Sequence, residues 1–140
     1  MNTHAIAGRP KLLGLGVLGL ALLGLGLLIG MGATPAMAQD VTGTWLRDTG
    51  ASRVRFAKCG EAVCGTIAWL KDPNGPAKVG QRIFYDMKPA GAGKWSGSAF
   101  NPEDGKTYSG TMTLAGEALT TSGCVLGGLI CRSVKWSRAN

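Results

Sequence analysis

From residue 43 onward the chain alternates between apolar and polar positions. In Arg53-Val54-Arg55-Phe56 the apolar side chains take one face and the arginines the other. By the same period, Val63, Ile67 and Trp69 share a face, as do Tyr108, Met112 and Leu114, with Ser109, Thr111 and Thr113 opposite. Near the end, Val134 and Trp136 point one way and Ser133, Lys135 and Ser137 the other. No apolar stripe of helical period competes with this pattern. Such segments recur about every ten residues, as in sandwiches and barrels. Eight strands are predicted: Gly43–Arg47, Ser52–Lys58, Ala62–Leu70, Gly80–Lys88, Gly93–Phe100, Lys106–Leu114, Glu117–Gly123 and Ile130–Arg138.

The connections carry turn chemistry. Asp48-Thr49-Gly50 follows the first strand, and Asp72-Pro73-Asn74-Gly75-Pro76 opens the longest loop, to about Val79. Asn101-Pro102-Glu103-Asp104-Gly105 forms a hairpin connection, Gly116 the next turn, and a Gly-rich stretch runs from Gly123 to Gly128. The expected fold class is all-β, a small antiparallel up-and-down barrel of about eight short strands. Closure removes the exposed edges of an open sheet. An eight-stranded barrel is filled by side chains or holds one small ligand. Strands this short favour a mostly filled interior.

The first 38 residues read differently. Arg9 and Lys11 precede an uncharged, Leu- and Gly-rich run from Leu12 to Met31, followed by Pro35 and Ala36-Met37-Ala38. This is the order of a signal peptide with an A-x-A cleavage site, placing the mature N-terminus at Gln39. The run is also long enough to span a bilayer, but its glycines and the cleavage site favour removal. The expected organisation is a leader over 1–38 and one all-β domain over 39–140, periplasmic or secreted, with membrane contact only through the leader before cleavage.

Cysteine usage agrees with export. All four cysteines (Cys59, Cys64, Cys124, Cys131) lie beyond the leader, and an even count in a small exported domain reads as two disulfides. Three pairings are possible. Cys59–Cys64 and Cys124–Cys131 are favoured because each pair brackets a Gly-containing turn. The C-x4-C and C-x6-C spacings do not match structural zinc, and no C-x-x-C redox motif is present. Fifteen Lys and Arg against eight Asp and Glu give a net charge of +7. Arg9 and Lys11 are the only charged residues of the leader, so the domain itself carries about +5. The basic residues are spread along the chain. That favours solubility, or an anionic envelope component, over nucleic acid.

Catalytic chemistry has little to draw on. The only His is His4, within the leader. The domain therefore has no imidazole for nucleophilic or general acid–base catalysis, and no nucleotide-binding fingerprint. No metal or other cofactor is expected. Asp86, Glu103 and Asp104 are the carboxylates a glycosidase-type pair would need, but Glu103 and Asp104 sit in a turn that uses such residues for local hydrogen bonds. Four tryptophans (Trp45, Trp69, Trp95, Trp136) are a large aromatic content for this size. They serve as core, or as walls of a ligand pocket closed by a few polar groups. The expected binding residues are Trp69 and Trp95 with Tyr108, Asp86 and Arg132.

Several motifs in combination resemble a known family. They are Gly43-Thr44-Trp45, Cys59-Gly60, Cys64-Gly65-Thr66-Ile67-Ala68-Trp69-Leu70-Lys71, Trp95-Ser96-Gly97, Asn101-Pro102-Glu103-Asp104-Gly105-Lys106-Thr107-Tyr108, Gly123-Cys124, Cys131-Arg132 and Trp136-Ser137-Arg138. Together they look like the bacterial domain-of-unknown-function family numbered 2147, small exported proteins. Longer members extend the segment that is here only Asp72–Val79. The Gly-x-Trp of the first strand with an Arg late in the last also resembles the calycin superfamily of lipocalins and avidins. That resemblance implies that Arg138 (or Arg132) packs across Trp45 and closes one barrel end. The expected function is non-catalytic binding of a small apolar or amphipathic ligand or an envelope component. The alternative is a protein-interaction module, such as an inhibitor that inserts Gln39–Thr42 into a secreted hydrolase.

Overall fold

The structure is a computed structural model that describes residues 39–139. The expected leader lies outside the described residues. Eight strands follow in order: β1 (Gly43–Arg47), β2 (Ser52–Cys59), β3 (Ala62–Leu70), β4 (Arg82–Pro89), β5 (Lys94–Asn101), β6 (Lys106–Ala115), β7 (Ala118–Val125) and β8 (Ile130–Ala139). Each predicted segment is a strand, with ends shifted by no more than two residues. Every strand pairs antiparallel with its sequence neighbours, and β8 returns to β1 to close an up-and-down barrel. Along that closing seam Trp45 faces Arg138 and Arg47 faces Trp136.

This topology gives the barrel two distinct ends. The β1–β2, β3–β4, β5–β6 and β7–β8 connections form one end, the mouth. The chain entry and the remaining hairpin turns form the other, the base. Inward-facing side chains fill the base half: Val41, Trp45, Val54, Phe56, Met87, Met112 and Leu119 are all fully buried. The N-terminal segment crosses beneath them. Trp45 Nε1 donates to the Val41 carbonyl at 2.9 Å, and the Arg138 guanidinium lies 4.4 Å over the indole ring. Arg138 also donates to the carbonyls of Thr42, at 3.0 Å, and Asp40. One guanidinium thus caps two backbone acceptors and an aromatic face, a cation–π contact of about 0.5–2 kcal/mol. Asp40 Oδ1 accepts from the Thr42 amide, and this hydrogen-bonding to Thr42, aided by nearby Arg138, holds its carboxyl below the usual aspartate value.

Irregularities in β3 and β4 reorient side chains. Opposite the Arg53–Val54 step, Ala68 of β3 is left over, because Val54 pairs with Ile67 and Arg53 with Trp69. One extra residue in a strand of period two moves everything beyond it to the other face. Another irregularity lies in β4. Tyr85 pairs with Ser98 and Lys88 with Ser96, so Asp86 and Met87 together oppose Gly97. Asp86 takes a left-handed conformation there, at φ 47°. The disulfides join Cys59 to Cys64, across the β2–β3 turn, and Cys124 to Cys131, at the neck of the β7–β8 hairpin.

Candidate functional site at the mouth of the barrel

The expectation of a mostly filled interior holds only for the base. Above Trp136 and Thr121 the barrel opens into a cavity of about 920 Å³ that extends past the rim. Its apolar wall is built by Ile67 of β3, Ile83 and Phe84 of β4, Ala99 of β5, and Val134 and Trp136 of β8. Ile67, Phe84, Ala99, Val134 and Trp136 point inward because they continue the alternation that fills the base, and Ile83 is the residue left over where Phe84 pairs with Gly65 and Arg82 with Thr66. Trp136 forms part of the floor. Its Nε1 donates to Thr121 Oγ1 at 2.9 Å, a buried bond that fixes the indole and satisfies the buried threonine. A second hollow, of about 940 Å³, lies outside the base against the N-terminal segment and the β4–β5 turn. Its lining includes Trp95 and Leu114, both packed into the core.

Five charged residues line the mouth cavity: Arg47, Lys71, Asp72, Glu103 and Arg132. Four are exposed. Arg47 alone is half-buried, because it follows Gly43 and Trp45 on the inward face of β1. Its Nε is buried and has no hydrogen-bond partner among the described residues. The one ion pair among the described residues joins Arg138 to Glu117 at the base, at 3.4 Å, so Arg47 has no carboxylate partner. An unmade hydrogen bond at a buried donor costs about 1–3 kcal/mol.

The residues expected to form a pocket are not brought together. Trp69 does not share a face with Val63 and Ile67. The extra residue at Ala68 turns it outward, where it is 40% exposed and carries the Arg53 guanidinium 5.2 Å above its ring. Trp95 is the second residue of β5, a strand that starts at the base, so it packs into the core there. Asp86 is exposed on the outer wall, its carboxylate close to the sulfurs of Cys59 and Cys64. Those sulfurs are bonded to each other and offer no thiolate to a metal. Trp69, Tyr108 and Arg132 lie at the mouth end, but of the five only Arg132 lines the cavity. Tyr108 rests against Gly123, whose β8 neighbour is Arg132. The residue that the alternation places inside, and that was overlooked, is Arg47. A cation two positions after an inward tryptophan was the signal.

The rim itself is pinned by the β5–β6 connection. Asn101 Oδ1 accepts from the Glu103 amide, Asp104 Oδ1 accepts from the Lys106 amide, and the Tyr108 hydroxyl donates to Asp104 Oδ2. The tyrosine hydrogen bond, then that of Lys106, lowers the Asp104 carboxyl below its ordinary 3.8, and the same bond raises Tyr108 above its ordinary 10.0. A lowered carboxyl stabilises the fold above 3.8 and loses that contribution as pH falls through its folded value. A raised phenol contributes below 10.0 and loses it as pH rises through its folded value. The latch therefore holds between these limits. In a carboxyl NMR titration, Tyr108→Phe is expected to move the Asp104 midpoint up toward 3.8. An unchanged midpoint would show that the hydroxyl does not hold this carboxylate.

Comparison with known proteins gives one match. The family model described as an uncharacterized protein conserved in bacteria (DUF2147) matches residues 43–138. No curated protein and no solved structure matches the chain. The matched span opens at the glycine before Trp45 and closes on Arg138, the two residues that meet across the seam, and so takes in all eight strands. The chain belongs to this bacterial family, DUF2147.

Proposed function

We propose that this protein is a non-catalytic binding module that takes a small apolar or amphipathic molecule into the mouth of its barrel. The observation that carries the reading is the division of the interior. One half is filled by buried side chains, and the other opens to a cavity of about 920 Å³ with a largely apolar wall over a fixed indole. This is the form of a small-molecule site, concave and apolar with a few placed polar groups. The absence of His beyond residue 38 supports a binding role over a hydrolytic one. Two disulfides support an oxidising, extracytoplasmic compartment, and we take the expected leader over 1–38 as the route there. The alternative, an inhibitor that inserts Gln39–Thr42 into a hydrolase, draws less support. Val41 of that segment is buried in its own barrel, and Arg138 holds the carbonyls on either side.

The test uses a pair of fluorescent probes with one arylaminonaphthalene body: neutral N-phenyl-1-naphthylamine and anionic 8-anilinonaphthalene-1-sulfonate. At least one is expected to bind at one molecule per chain and to quench Trp136. Ala99→Phe, which puts a phenyl ring into the cavity, is expected to weaken that binding at least tenfold without lowering Tm. Binding that survives Ala99→Phe, or no binding of either probe, would refute the reading.

A further inference from the structure

The guanidinium of Arg47 sits where a packed barrel has no use for it. It projects from the inward face of β1, beside Trp136, with its Nε buried and without a hydrogen-bond partner among the described residues. No carboxylate among the described residues pairs with it. Arg138, also on the seam, shows the contrast: it is fully engaged with an indole, two carbonyls and a carboxylate. A planar, permanently charged fork of donors is suited to oxyanions, which it can grip with two parallel hydrogen bonds. A partly enclosed site strengthens that attraction relative to water. A cation held there without a protein partner lowers stability, and such a cost is typical of a binding group that awaits its ligand.

We propose that the ligand of the mouth cavity is an organic anion: an apolar body seated against Ile83, Phe84 and Val134, with a carboxylate, sulfonate or phosphate gripped by Arg47. This rests on the mouth being a binding site, as proposed above. Arg132 stands farther out on the same face of β8 and adds long-range attraction as the ligand enters. Asp72 and Glu103 at the rim oppose it, but both are exposed and screened by salt. The deep position of Arg47, more than the net charge of the rim, therefore sets the preference.

The two probes differ by a sulfonate and isolate this claim. The wild-type protein is expected to bind the anionic probe at least tenfold more tightly than the neutral one. Decanoate, but not decanol or inorganic phosphate, is expected to displace it at comparable concentration. Arg47→Met, which keeps the volume and removes the charge, is expected to weaken the anionic probe at least tenfold, to change the neutral one by less than twofold, and to raise Tm by a few degrees. Arg132→Met is expected to weaken the anionic probe two- to threefold, an effect that salt removes.

Equal wild-type affinity for the two probes would overturn the proposal whatever the variants do, and the mouth would remain a site for neutral molecules. Anionic-probe affinity unchanged in Arg47→Met would overturn it too. Displacement by inorganic phosphate as effective as by decanoate would reduce the site to a simple anion site and also overturn it. If neither probe binds, the reading of the mouth as a site falls as well, a result distinct from the other three.

Discussion

Replacing Trp45 with alanine is expected to lower the stability of the barrel by about 3–5 kcal/mol, the range for removing a fully buried tryptophan. That is a large part of the 5–15 kcal/mol typical of a domain. Three losses coincide at this position. The cavity left behind lies in the packed base, where Val54, Met112 and Leu119 are themselves fully buried. The Val41 carbonyl loses the donor that ties down the N-terminal segment. Arg138 loses the ring beneath it and, with it, the geometry that directs its donors to Asp40 and Thr42. Trp45→Phe keeps an aromatic ring beneath Arg138 but removes the N–H and part of the indole, and is expected to cost about 1–3 kcal/mol, because the buried Val41 carbonyl is left without its donor. Urea unfolding of the oxidised protein reads both values. A Trp45→Ala loss below about 1 kcal/mol would mean that the base is not sealed by this residue.

Gly97→Ala is expected to cost about 3 kcal/mol, at the upper end for overpacking, although it adds only one methyl group. A Cβ at this position would stand 2.5 Å from the carbonyl oxygens of both Tyr85 and Asp86. These are backbone atoms of the β4 bulge, so no side-chain rotation relieves the clash, and β4 must part from β5. The complementary change separates the two halves of the bulge. Asp86→Gly releases a left-handed residue, worth about 1–2 kcal/mol, at about 0.5–1 kcal/mol of added chain entropy. It is expected to leave stability unchanged or slightly higher. Thermal unfolding of the two variants side by side checks the claim. A destabilising Asp86→Gly with a tolerated Gly97→Ala would reverse the assignment of which strand dictates the bulge.

The strands were legible because their signal is local. Period-two alternation bounded by Asp, Asn, Pro and Gly fixes a segment without reference to anything distant. Both disulfide pairs were legible for the same reason, each bracketing a turn. The site was less so, because two facts that position it are not local. A single leftover residue at Ala68 moves Trp69 to the face opposite Ile67, and no residue type at 68 announces it. Depth in the barrel depends on strand direction as well as on face. Trp95 begins a strand that rises from the base, whereas Arg132 begins one that descends from the mouth. Counting hairpins would have placed both, and would have set Arg47, the last residue of β1, at the mouth with its side chain inward. The aromatic count drew attention to indoles that mostly hold the structure together.

The order in which the strands pair has a kinetic consequence. Seven of the eight pairings join sequence neighbours, and only the seam joins residues as far apart as Thr44 and Ala139. Closing a short hairpin costs a folding chain less entropy than closing a loop that spans the domain, so hairpins form readily and the seam comes last. Interactions absent from the transition state govern the rate of unfolding and barely touch the rate of folding. The contact of Arg138 with Trp45 and with the crossing N-terminal segment belongs to that class. It sets how long a completed barrel survives before its two outermost strands separate, and leaves the speed of its assembly to the turns.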